Sequence, residues 1–118
     1  VAESHTSRYI PNWSLPVKGT LYIRKSYTNR ISVYGQTFLE GFFNKTAPVD
    51  SLYIRVAAQI HGNPVPVKSH TALLGENSPA LTVDLGPNDG SLKYSAVGSH
   101  NAKKGGTTYS LTNTSVDW

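Results

Sequence analysis

The chain has 118 residues, a formal net charge of +4 and neither cysteine nor methionine. That length supports one domain with a single core, and the missing cysteines exclude disulfides, thiolate metal sites and cysteine nucleophiles. Hydrophobic residues at 38% and charged residues at 15% argue against disorder. No apolar run approaches the ~18 residues that span a bilayer as a helix, so no membrane insertion is expected.

Val1 to Arg8 is polar and predicts a flexible N-terminal arm on a single domain covering residues 1–118. Tyr9 to Pro16 carries Pro11 and Pro16, which cannot donate to a ladder, so it reads as an edge strand or an irregular extended piece with Trp13 as an anchor. Val17–Tyr27 and Ile31–Phe43 then read as two strands of a hairpin. A three-residue loop at Thr28-Asn29-Arg30 would set Gly19, Leu21, Ile23 and Tyr27 opposite Leu39, Thr37, Gly35 and Ile31. It would also set Lys18 against Glu40 and Arg24 against Tyr34. Gly41, among Phe38, Phe42 and Phe43, marks a bulge or bend where the chain changes layer.

Ser51–Ile60 has the cleanest period-two pattern and is the expected central strand, with Leu52, Ile54, Val56, Ala58 and Ile60 on one face. Pro64 and Pro66 demote Val65–Leu74 to an edge strand, in which Thr71–Leu74 could begin a helical turn that Gly75 ends. Leu81, Val83 and Leu85 alternate in a short strand, Gly86 to Gly90 is a strong turn signal, and Leu92, Tyr94 and Ala96 form the returning strand. Ser99–Gly106 reads as a mobile loop, and Thr107–Trp118 as a closing strand. The sum is an all-β fold, an antiparallel β-sandwich of about seven or eight short strands, Ig-like or jelly-roll-like. Its expected core comprises Leu21, Ile23, Ile31, Val33, Leu39, Leu52, Ile54, Val56, Ile60, Leu81, Val83, Leu85 and Leu92.

No pattern names a reaction. The 13 serines and four histidines contain no GxSxG elbow and no HxH or HExxH spacing, and no glycine loop precedes a helix to hold a phosphate. No enzyme, no cofactor and no metal site is expected. Glu40 and Asp50 would form a glycosidase-like pair only if the fold joined them. The three sequons at Asn12, Asn44 and Asn113 are explained equally by loop chemistry.

The most suggestive set is Tyr22, Arg24, Tyr34, Gln36, Tyr53, Arg55 and Gln59, on the non-core positions of the three best strands. Tyrosine rings with arginine and amides on a flat β surface can stack on sugars and hydrogen-bond their hydroxyls. An ordinary solvated sheet exterior would carry the same residues. The expected function is a non-enzymatic, secreted or cell-surface recognition module, of lectin or adhesin type. It would bind a glycan or cell-surface protein through Tyr22, Arg24, Tyr34, Tyr53 and Arg55 or through Lys103 and Lys104 in their loop. The alternative is a structural subunit, fimbrial or capsid-like, that forms a homo-oligomer by strand exchange or edge pairing. Nucleic-acid binding comes third, because the basic residues are dispersed.

Overall fold

A computed structural model describes residues 3–11, 16–41, 46 and 49–118. Ten β-segments follow one another: β1 (Glu3–Tyr9), β2 (Pro16–Lys25), β3 (Arg30–Leu39), β4 (Ser51–Ile60), β5 (Asn63–Pro64), β6 (Lys68–Leu73), β7 (Ala80–Pro87), β8 (Tyr94–Lys104), β9 (Thr107–Ser110) and β10 (Thr114–Asp117). All pairings are antiparallel. The first sheet has the order β1-β2-β3-β7. In the second, β4 and β8 lie at the centre, β5 and β6 share the free side of β4, and β9 and β10 share the free side of β8. The two sheets form a β-sandwich, and the expected closing strand Thr107–Trp118 is split into β9 and β10. Beside β4 the strand is interrupted between β5 and β6, over Val65–Val67, where Pro66 has no N–H to give a ladder.

Period-two patterning accounts for the packing. Leu21, Ile23, Ile31 and Val33 from the first sheet face Ile54, Val56 and Ala58 from the second, with Val83, Leu85, Tyr94, Ala96 and Val116 completing the larger apolar cluster. Ile60, Leu81 and Leu92 reach only its margin and are partly buried. A smaller cluster at the other end joins Ile10, Val17, Leu39, Val49, Leu52, Ala102 and Leu111. Trp13, Leu15, Phe42, Phe43, Asn12 and Asn44 lie outside the described residues.

Four expectations need correction. The β2–β3 register is shifted by two: Ile23 faces Val33, Tyr22 faces Tyr34 and Arg24 faces Ser32. The loop is Tyr27-Thr28-Asn29, closed by Asn29 N–H to Ser26 O at 3.0 Å and Ser26 N–H to Arg30 O at 2.9 Å. Asn29, with φ of 60°, takes the left-handed position one residue later than its place in the expected loop. The shift preserves which face each residue takes, and it sets Ile23 against Val33 and Tyr22 against Tyr34.

The N-terminal arm is β1, an edge strand paired with β2 from Glu3 opposite Tyr22 to Tyr9 opposite Pro16. Polar alternation hid it, since no described side chain of β1 is fully buried. Ser99–Gly106 is a turn only at Gly105-Gly106; the rest is the second half of β8, and its inward positions are His100 and Ala102. Thr71–Leu73 is strand, and the turn comes at Gly75, where φ is 86°.

Between the two apolar clusters lies a buried polar layer. Thr37 Oγ1 donates to the Tyr53 carbonyl at 2.8 Å across the sheets, so its lone pair accepts from His100 Nδ1–H, also at 2.8 Å. The bare Nε2 then accepts from the Thr114 hydroxyl at 2.8 Å. One neutral imidazole tautomer is selected, and every polar atom of the side chain is satisfied. Gly19 and Gly98 make the room: a Cβ on Gly19 would collide with the His100 ring, and one on Gly98 with Thr114 Oγ1. Burial pushes the His100 imidazole down from 6.5 to about 4, against a smaller opposing effect of the Gln36 backbone.

The sign of the resulting pH dependence follows directly. Below pH 6.5 the unfolded chain takes up a proton that folded His100 refuses until about pH 4. Its contribution is therefore complete above pH 6.5 and lost progressively down to pH 4, by about 3 kcal/mol in all. Urea unfolding across that range should show the decline, and His100→Leu should flatten it while lowering stability at neutral pH, because Thr37 and Thr114 lose their partner. Gly19→Ala should cost about 1–3 kcal/mol by overpacking.

Candidate functional site

The outer face of the first sheet is built by the alternate residues that the core does not use. Register places them in rows across the strands: Ser7, Lys18 and Phe38; His5, Thr20, Gln36 and Ala80; Glu3, Tyr22, Tyr34 and Thr82; Arg24, Ser32 and Asp84. At the third row the Tyr22 and Tyr34 rings stack, with centroids 4.9 Å apart and planes at 29°. The Arg24 guanidinium lies 5.3 Å from the Tyr22 ring centre. Such contacts hold half-buried rings in place on a flat surface at low entropic cost. Partial burial raises the Tyr34 phenol above its usual range, and the neighbouring Tyr22 adds to the effect.

At the first two rows the face hollows into a cleft of about 420 Å³, lined on its outer side by His5, Ser7, Lys18, Thr20 and Phe38. Its volume falls within the range of small-molecule sites. The half-buried Phe38 gives the cleft an apolar wall on an otherwise polar face.

The basic side chains on this face are largely paired. His5 Nε2 donates to Glu3 Oε1 at 2.7 Å, Lys18 Nζ to Glu40 Oε1 at 3.1 Å, and Arg30 Nη2 to Asp84 Oδ2 at 2.6 Å. The last bond, with the Gly86 N–H, holds the Asp84 carboxyl below its usual range. Arg24 is set against the Tyr22 ring. Among the described residues no three of His, Asp and Glu gather to hold a metal ion. Glu40 and Asp50 are engaged separately, Glu40 by Lys18 and Asp50 by the Gly106 N–H at 3.4 Å.

The expected site is divided. The chain passes from the first sheet to the second between β3 and β4, near Gly41, where φ is 84°. Tyr53 and Arg55 therefore stand on the opposite outer face from Tyr22, Arg24 and Tyr34, and one small ligand cannot touch both sets. On the second face Tyr53 neighbours Thr71 and Asn101, Arg55 neighbours Ser69 and Ser99, and Lys103 faces Ser51. Lys103 thus joins Tyr53 and Arg55 in the body of a strand. Lys104, opposite Thr107, takes the other side of β8. Sequence reading missed Phe38, Thr20 and His5. Carrying the alternation on from Tyr34 and back from Tyr22 finds the first two; His5 gave no signal, because β1 has no apolar period.

No protein-family model, curated protein or solved structure matches the chain, so the site is read from its own geometry. Among the described residues no helix is long and apolar enough to cross a membrane.

Alkaline absorbance titration tests the stack. Tyr34 should ionise above the ordinary tyrosine range, and Tyr22→Ala should return it toward that range by exposing the ring and removing the second phenol.

Proposed function

We propose that this protein is a non-enzymatic recognition module, secreted or displayed at a cell surface, that binds a glycan through the outer face of its first sheet. The observation that supports this most is the Tyr22–Tyr34 stack braced by Arg24 on a face otherwise rich in hydroxyl and amide groups. Rings fixed on a flat strand surface suit the apolar face of a sugar, and the surrounding hydroxyls and amide suit its polar rim. The pairing of Lys18 and Arg30 with carboxylates counts against nucleic acid, whose binding needs cations free to replace counterions.

A second reading, the assembling subunit, draws on β1. That strand buries no side chain fully and is tied to the second sheet by Arg8 Nη1 to Ser110 O at 2.8 Å, by Ser115 N–H to Ser4 Oγ at 3.2 Å, and by Arg8 over Tyr109. Such a strand is suited to exchange between copies.

A glycan array on the purified protein, with light scattering on the same samples, separates the two. Recognition predicts saturable binding by a species whose mass does not grow with concentration. Tyr22→Ala and Tyr34→Ala should each weaken it at least about tenfold, a loss of about 1.4 kcal/mol, while Tyr53→Ala and Arg55→Ala bind as the parent does. Absence of binding with concentration-dependent growth in mass would move the conclusion to the assembling subunit.

A further inference from the structure

The Tyr22–Tyr34 stack and the Phe38 cleft share one sheet face, and nothing between them interrupts it. Tyr34 and Phe38 are four residues apart on β3, about 13 Å at the rise of an extended strand. The row between them is Thr20 beside Gln36, flanked by His5. Two aromatic stations therefore stand along the strands with hydrogen-bonding side chains between them, and the cleft closes one end.

We propose that this face takes a linear, uncharged oligosaccharide laid along β2 and β3, one sugar on the Tyr22–Tyr34 stack and a later sugar of the same chain against Phe38 in the cleft. The inference rests on the glycan reading above and adds the length, shape and charge of the ligand. Length follows from the two stations: a short sugar covers the stack and leaves the cleft empty, whereas a longer one fills both without a second loss of translational freedom. Shape follows from the register, which sets the stack, the Thr20–Gln36 row and Phe38 in line along β2 and β3. Charge follows from the carboxylate pairings. His5–Glu3 and Lys18–Glu40 sit beside the cleft, so a polyanion would have to break pairs already made or approach two carboxylates. A neutral chain meets hydroxyls, an amide and apolar walls, and leaves those pairs intact.

The test is calorimetric titration with β-1,4-linked glucose and N-acetylglucosamine oligomers of increasing length, their α-1,4-linked glucose counterparts, and a heparin fragment as the polyanion. The proposal expects affinity in at least one neutral series to rise about tenfold or more from the shortest oligomer and then level off once both stations are covered. Phe38→Ala should reduce the long oligomers to the affinity of the short ones and leave the short ones unchanged, and Tyr34→Ala should weaken both. Thr20→Val checks the row between the stations and should reduce only the long oligomers; near-ultraviolet circular dichroism confirms that each variant is folded.

Length-independent affinity that Tyr34→Ala removes and Phe38→Ala does not would overturn the two-station proposal and leave the glycan reading standing. Tighter, salt-sensitive binding of heparin would overturn the uncharged class. Absence of binding to every glycan on the array would overturn the underlying reading, and this proposal with it.

Discussion

The sandwich is organised around one hydrogen-bonded chain that crosses its interior, from the Thr114 hydroxyl through the His100 imidazole to the Thr37 hydroxyl and the Tyr53 carbonyl. The Thr37 hydroxyl gives its proton to the Tyr53 carbonyl and so can only accept from the imidazole, which fixes the tautomer and ties the two sheets together. A slide of one sheet along the other would break both bonds of Thr37 and strand its hydroxyl and the imidazole Nδ1 in an apolar interior. Apolar packing alone is more forgiving, since aliphatic side chains can interdigitate in several registers. The glycines opposite the ring belong to the same constraint, because they leave space that only the imidazole and its threonine partner occupy.

That fixed relation sets what the outside can be. Once alternate residues of β2, β3, β4 and β8 are committed to the interior, their neighbours must form two outer faces pointing in opposite directions. On the first, the side chains organise one another: tyrosines stack, Arg24 lies over a ring, and Lys18, Arg30 and His5 each meet a carboxylate. On the second, neither Arg55 nor Lys103 has an ion-pair partner among the described residues. The first face is thus a preorganised surface with little free charge, and the second an ordinary solvated one. The difference in internal order is why the first face carries the functional reading.

Wherever an apolar period existed, the sequence showed the strand. Ser51–Ile60 is β4 from end to end, and Leu21, Ile23, Val33, Leu52, Ile54 and Val56 are core as their alternation implies. Two kinds of strand escaped. β1 has no apolar face, because it lies on an edge and is held by its ladder; the second half of β8 points a histidine and an alanine inward. Buried polar groups of this sort look like loop residues until their partners are known, and Thr37 and Thr114 are far from His100 in the chain. The site was half legible for a related reason. Periodicity tells which side of a strand a tyrosine takes, and it is silent on which sheet the strand joins. Tyr53 therefore looked like a neighbour of Tyr22 and Tyr34.

The strand order also dictates when order can arrive. β3 finds its second neighbour only when Val83 reaches Val33, and β4 meets its central partner only when His100 reaches Ile54. The polar layer waits longer still, for Thr114 near the end of the chain. Loop closures of this span precede the contacts that reward them, which places the protein among slow folders. During synthesis, the first sheet's hairpin would stand for much of the time with its inner apolar face uncovered. A chain of this topology thus depends on its last residues to shelter its first, and a truncation near the C-terminus should harm folding far more than one of equal length at the N-terminal edge strand.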